Sequence, residues 1–329
     1  MSKLLTSKYP ILCSPMNRVS EKNLAIACSK AGIFPSVISL SYIESESLKK
    51  GDHRNLNHKT PWKLDWQRFE DELIEFNNET GTNELYVSVT DSQFNHSAFQ
   101  KFIDKKYFTH IEIICGNPQF VDGKLSDYDY DNFKKLQPSF NEWRNKGYKI
   151  IYKSLARFLI LDILKKFGDT LFDGYVLKSA NAAGSVTDRR DKNSIYEDIK
   201  YVLEEYPDAK LIVTGGIGTA QDVKDVLDAG ADSIGIGTLF AASKESRLSE
   251  EAKNKMVNST FDDVNRFTKS NQNGLVFSKI EQDDYNNTLS LEKGITTGTQ
   301  GHVFAGQAVN HIKGIVSVEY ITSNLVELL

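Results

Sequence analysis

Two glycine turns spaced one helix apart constrain this chain more than any other feature in it. Leu211-Ile212-Val213-Thr214 is a short apolar, β-branched run that ends in Gly215-Gly216-Ile217-Gly218. Thr219 then caps a segment whose apolar residues Val223, Val226 and Leu227 fall at helical spacing, and Gly230 stops it. Ser233-Ile234-Gly235-Ile236 is a second run, closed by Gly237-Thr238 ahead of Leu239-Phe240. The order strand, turn, helix, strand, turn puts both turns at the C-terminal ends of neighbouring strands. Glycine amides at such turns, backed by helix N-termini, suit a phosphate group. The other reading is an ordinary βαβ unit whose glycines only relieve crowding.

The same alternation runs through the rest of the chain. Pro10-Ile11-Leu12-Cys13 reads as a strand, followed by a turn at Ser14-Pro15-Met16-Asn17, because a proline biases the residue before it away from helix. Ser20 is expected to cap a helix through Leu24, Ala25, Ala27, Cys28 and Ala31, with Gly32 closing it. Ile33–Leu40 carries the second strand, and about 45–60 reads as a long polar loop. Trp66–Asn77 is helical by the spacing of Phe69, Leu73 and Phe76. Leu85–Val89, His110–Ile114, Tyr148–Lys153 and Asp173–Lys178 read as strands three to six. Helices are expected over Phe94–Ile103, Phe133–Trp143, Ala156–Phe167 and Ile195–Leu203.

Strand and helix in alternation give an α/β protein with parallel sheet, and eight units predict a closed (β/α)8 TIM barrel, with a doubly wound open sheet as the alternative. In such a barrel a phosphate site lies in the loops after the last two strands, where the two glycine turns fall. The barrel is expected over residues 1–243. A lid or small subdomain is expected over 244–300, because Phe261–Asn287 is polar and weakly patterned and long loops in compact domains usually have a function. Residues 301–329 form a tail in which Ile312, Ile315, Val318, Ile321, Leu325 and Leu328 could cover a barrel flank as a C-terminal helix.

Composition narrows the function. The 329 residues carry a net charge of only −4, with lysine and arginine scattered and no basic stripe, so nucleic acid is not an expected partner. No apolar run approaches ~18 residues, which removes a membrane span, and the stretch before the first strand is too short for a signal peptide. The odd number of cysteines (Cys13, Cys28 and Cys115) has no metal-binding spacing and fits a cytoplasmic location. No metal site is expected. The expected partner is a small-molecule substrate, with a homo-oligomer left open.

The opening Pro10-Ile11-Leu12, Ser14-Pro15-Met16 and the helix ending Ser29-Lys30-Ala31-Gly32 resemble the start of the nitronate monooxygenase family, formerly 2-nitropropane dioxygenase. That family includes the FMN-dependent enoyl-acyl-carrier-protein reductases. Val213-Thr214-Gly215-Gly216-Ile217, Asp228-Ala229-Gly230-Ala231-Asp232 and Gly237-Thr238-Leu239-Phe240 look like its FMN-phosphate half, and Ala305-Gly306-Gln307 with Val316-Ser317-Val318 like its tail. The resemblance implies a barrel holding non-covalent FMN at the C-terminal ends of its strands. Its phosphate would lie on Gly215, Gly216, Ile217, Gly237 and Thr238, with the Thr238 hydroxyl as a donor. Its ring would lie near Pro15, Met16, Asn17, Ser88 and Gly184. Lys153 and Lys178, ending strands five and six, are expected to stabilise negative charge on the reduced flavin. A rim cation is the alternative for Lys153.

One departure bears on activity. The family reads Glu-Ala-Gly-Gly-His after strand six, with the histidine as catalytic base or proton donor, and this chain reads Asn181-Ala182-Ala183-Gly184-Ser185. Ser185 and Lys178 are therefore the expected catalytic positions, although a serine hydroxyl has no useful pKa near neutrality. Arg18 is a candidate for an anionic substrate or a solvent-facing side chain. Cys115 is a candidate nucleophile or a buried structural cysteine, and His110 and His311 are expected away from the catalytic mouth. The function implied is an FMN-dependent oxidoreductase acting on small nitronates or related carbon acids with O2. The alternatives are an NAD(P)H-dependent enoyl reductase and a flavin-binding barrel without catalysis.

Overall fold

In the computed structural model the described residues are 3–42, 64–114, 120–121, 124–125, 127–154, 157–186, 194–267, 272–277 and 288–329. Eight parallel strands form the barrel: β1 Ile11–Cys13, β2 Ser36–Ile38, β3 Tyr86–Thr90, β4 His110–Ile114, β5 Lys149–Ser154, β6 Gly174–Lys178, β7 Leu211–Thr214 and β8 Ser233–Ile236. They pair in the order β1-β8-β7-β6-β5-β4-β3-β2. The ring closes just before β2, where Phe34 N donates to Ile11 O at 2.8 Å and Cys13 N donates to Phe34 O at 2.9 Å. The expected barrel is therefore the observed one, and the open sheet is set aside.

Strand residues alternate between two apolar layers. One set packs against the surrounding helices in the main core. The other, Leu12, Phe34, Tyr86, Ile151, Val176 and Ile212, forms a separate cluster with Leu4 and Leu5 inside the barrel. Leu4 lies so close to Gly174 that a β-carbon there would stand 2.6 Å from Leu4 Cδ2. His110 Nε2 lies 2.8 Å from Leu4 O, so the N-terminal segment plugs the end of the barrel opposite the glycine turns.

Two helix starts differ from expectation. Ser20 does not cap the first helix, Lys22–Lys30, whose N-cap is Glu21 with no side-chain bond. Its hydroxyl instead accepts from Met16 N at 3.0 Å and donates to Ser14 O, holding the turn after β1. The helix expected over Phe94–Ile103 breaks into Asp91–Phe94, Ser97–Gln100 and a 3-10 turn at Lys101–Asp104. Thr90 and Gln93 form a reciprocal cap on the first piece, and His96 Nδ1 accepts from Ala98 N to start the second. Such local side-chain bonds compete with a continuous helix.

The weakly patterned stretch past β8 holds ordered structure. Asn265–Phe267 and His302–Val303 pair antiparallel with Gln272–Val276, and so does Gly184–Ser185 from the loop after β6. This small sheet ties the inserted segment to the C-terminal end of β6. The tail is a 3-10 turn, Gln307–His311, then the helix Val318–Leu325 with Val318, Ile321 and Leu325 buried. Leu328 is exposed and covers nothing. No described helix is long and apolar enough to cross a membrane.

Candidate active site

Inside the barrel, above the apolar plug, lies a charged layer that sequence reading missed. Glu112, in the middle of β4, is almost wholly buried. Its Oε1 accepts from Ser88 Oγ at 2.6 Å and from Lys153 Nζ at 3.1 Å, and its Oε2 accepts from Tyr86 OH at 3.0 Å. Buried charge is tolerated only when it is paired and hydrogen-bonded, and here the two flanking strands, β3 and β5, supply the partners. Burial, followed by the Glu112 charge, pushes the Tyr86 phenol well above its ordinary range and keeps it a donor. A carboxylate between Ile111 and Ile113 is conspicuous in β4, but its partners lie on other strands far along the chain. Lys153 is accordingly no rim cation, and Ser88 lies inside β3 with its hydroxyl committed to Glu112, while Thr90 ends the strand.

Lys178 ends β6 beside this layer and forms no ion pair with any described carboxylate. A β-carbon on Gly184 would lie 3.9 Å from Lys178 Nζ and 3.9 Å from Phe304 Cγ. The amine thus rises toward the loop that the family resemblance marks as catalytic. Burial, and then the positive charge of Lys153, lower its pKa to about 7, with Glu112 opposing. Part of the residue still meets the open mouth, so water moderates the shift. Ser185 itself is exposed and paired with Gln272 in the small sheet. The loop is held from the far side by Asn273, whose Nδ2 donates to Ala180 O at 3.2 Å and to Ala182 O at 3.0 Å.

The glycine turns adjoin because β7 and β8 are paired in register, Thr214 opposite Gly235. The amides of Gly216, Ile217, Gly237 and Thr238 donate to none of the described residues, whereas those of Gly218 and Thr219 are taken by the Asp222 carboxylate. Gly216 has φ +80°, and a β-carbon there would press on Asn181 at 3.2 Å and Gln307 Oε1 at 3.3 Å. Gly215 plays a different part. Its α-carbon packs so tightly on Ala182 and Ser179 that a β-carbon would stand 2.5 Å from Ala182 Cβ, and its carbonyl accepts from Ser179 Oγ at 2.9 Å. Thr238 Oγ1 accepts from Gly306 N at 3.1 Å, which leaves the hydroxyl proton free to donate.

In the turn after β1, Met16 N and O are both used within the turn, and its sulfur lies 3.3 Å from where a Gly237 β-carbon would be. The Asn17 side-chain oxygen is buried with no hydrogen-bond partner among the described residues, and Pro15, two residues before it, is half-buried. Arg18 is neither a mouth cation nor a surface one. It is buried, its backbone φ is +64°, and its Nε lies 3.8 Å from Glu292 Oε2. His311, expected in the final helix, sits in the 3-10 turn with its ring packed on Gly218 beside the glycine turn. His302, which sequence reading passed over, is buried in the small sheet between the rings of Phe267 and Phe304. Cys115, His53 and His58 lie outside the described residues.

The strands and helices define a (β/α)8 barrel with a polar mouth at the C-terminal ends of its strands. The model of the nitronate monooxygenase family matches residues 193–327, the part that carries both glycine turns and the tail. Among solved structures, FabK from Thermotoga maritima superposes with a TM-score of 0.70 at 16% identity, covering 99% of this chain and 96% of that one. Nitroalkane oxidase from Streptomyces ansochromogenes gives a TM-score of 0.69 at 16% identity, with 98% and 97% coverage. The enoyl reductase domain of MlnA from Bacillus amyloliquefaciens gives 0.56 at 13% identity, with 87% and 68% coverage. None of the curated proteins compared matches significantly. The fold shared with FabK and nitroalkane oxidase covers 98–99% of this chain.

Proposed function

We propose that the chain is an FMN-dependent oxidoreductase acting on small nitronates or related carbon acids with O2 as oxidant. The observation that carries this reading is that the amides of Gly216, Ile217, Gly237 and Thr238 donate to none of the described residues, at the same end of the barrel as Lys178, which pairs with no described carboxylate. The residues fit the cofactor: a cradle that a side chain at 216 would fill, and an orphaned Asn17 oxygen in the turn after β1 able to accept from a polar ring edge. FMN, when bound, supplies the two-electron chemistry.

The protein's share is binding and charge. The four amides and the Thr238 hydroxyl would hold the phosphate. Two lysines against one carboxylate leave the mouth net positive, which favours a substrate whose charge lies on oxygen. Ser185 can donate a hydrogen bond to such an oxygen but cannot remove a proton. A nitronate is already deprotonated, so its oxidation needs no base at position 185.

The test is release of the flavin from purified protein by denaturation, followed by anaerobic mixing of the holoprotein with a nitronate, NADH or NADPH. FMN released and bleached by the nitronate supports the reading. Bleaching by a nicotinamide nucleotide alone would move the chain to enoyl reduction, and colourless protein that takes up no added FMN would exclude a flavin site.

A further inference from the structure

We infer that Lys178 is the acid–base group of this mouth and that Glu112 is the positioning residue that sets its charge, by holding Lys153 as its own partner. The geometry separates two lysines that sequence alone leaves equivalent. They lie near the C-terminal ends of adjacent parallel strands, Lys178 as the last residue of β6 and Lys153 as the last but one of β5, opposite Val176. Lys153 is bound to Glu112 Oε1 at 3.1 Å, an oxygen that also accepts from Ser88, while Oε2 accepts from Tyr86. Glu112 is thus committed to Lys153, and no described carboxylate forms an ion pair with Lys178.

The groups around Lys178 explain its role. Lys153 from β5 and Glu112 from β4 are the charged groups acting on it, and Gly184 of the loop after β6 lies beside it. A partly buried cation beside a second cation gives up its proton more readily than an exposed lysine. Its pKa of about 7 makes both forms available at neutrality, which the serine at 185 cannot offer. The amine also lies next to Gly184, one residue before the position that Ser185 occupies in place of the family histidine.

The step is a proton transfer. The neutral Lys178 amine takes the proton from the acidic carbon of a neutral carbon acid. The C–H bond breaks, its electron pair stays with the substrate and delocalises onto the nitro or carbonyl oxygens, and a new N–H bond forms on Nζ. The resulting ammonium then faces the oxyanion it created, so the base becomes the counter-ion. The substrate's identity rests on the oxidoreductase reading; the state of the lysine does not.

The test reads the lysine directly. Purified full-length protein is labelled with trace acetic anhydride across a pH series, and the Lys178 peptide is quantified by mass spectrometry. In wild type the labelling midpoint of Lys178 is expected at about pH 7. Glu112→Gln should lower it and Lys153→Met should raise it, each by on the order of one pH unit, while Glu112→Asp restores it most of the way. Opposite shifts in the two variants support the inference. A wild-type midpoint in the ordinary lysine range, no shift in either variant, or shifts of the same sign would overturn it. Should Glu112→Gln fail to fold, the wild-type midpoint and the Lys153→Met shift still decide. Flavin content of the same samples reports separately on the cofactor.

Discussion

Gly216 and Gly237 sit on the same rim, yet a side chain at each asks a different question. Gly216 has φ +80°, where any L-residue adds backbone strain of about 1 kcal/mol or more, so a substitution there confuses strain with lost binding. Gly237 has φ −116°, and a β-carbon would press on the flexible Met16 sulfur at 3.3 Å and otherwise make ordinary contact with Met16 Cγ and Ser14 Cβ at 3.6 Å. Gly237→Asp therefore isolates the cradle. A carboxylate there would face the cofactor's phosphate, and like charges brought together cost several kcal/mol, so FMN should bind at least ~100-fold more weakly. Gly237→Ala should keep most of the flavin. Titration of the flavin-free protein with FMN, beside a melting curve, reads both; an Asp variant that binds FMN as tightly as wild type would place the cradle elsewhere. The turns were legible in sequence because glycine marks backbone geometry locally. Glu112 was not, because its meaning depends on Ser88 and Lys153, 24 and 41 residues away in the chain.

Among elements, the turn after β1 and the helix Thr288–Thr297 are joined by charge. Arg247 grips Glu292 through two nitrogens, at 3.2 and 2.6 Å, and also lies 3.6 Å from Glu21. Arg18 approaches the same Glu292, and Arg68 on the helix Trp66–Thr80 completes the chain by bridging Glu21 and Glu72. Burial pushes the Glu21 carboxyl up, opposed by Arg247 and Arg68. These groups are only partly buried, so Glu292→Ala should lower stability by about 2 kcal/mol rather than the full penalty for a buried pair, a melting shift on the order of 4 °C. Arg247→Lys, which loses the two-pronged grip but keeps the charge, should lose about half as much. Thermal denaturation followed by circular dichroism measures both, and a loss within experimental error for Glu292→Ala would show the network contributes nothing. No sequence pattern announced this network or the small sheet. The barrel strands read clearly because each is a short apolar run buried on both faces. Gln272–Val276 is polar at its start, and its pairing with Gly184–Ser185 spans almost ninety residues of chain.

At the scale of the whole molecule the barrel has a wet end and a dry end, and the dry end titrates. His110 begins β4 against the plug, with Leu4 O 2.8 Å from Nε2 and Thr109 Oγ1 2.8 Å from Nδ1. A carbonyl can only accept, so Nε2 carries the proton and Nδ1 accepts from the threonine hydroxyl. A second proton would have to sit on Nδ1 in an apolar layer, and burial lowers the His110 pKa to about 4. His302, buried in the small sheet, is lowered to about 4 by the same cause. Both folded values lie below the unfolded value of 6.5. Between those limits the unfolded chain binds more protons, so the stability these groups confer is complete above about pH 6.5 and is lost as pH falls toward 4. From about pH 7.5 to about pH 5 each histidine should remove about 2 kcal/mol of stability, before most carboxylates titrate. Urea unfolding at the two pH values, on wild type, His110→Gln and His302→Gln, measures it. Glutamine keeps a donor for Leu4 O and cannot be charged, so His110→Gln should lose only about half as much stability on acidification as wild type. A variant that loses as much as wild type would show that His110 is solvated in the folded protein and that the plug does not seal the barrel floor.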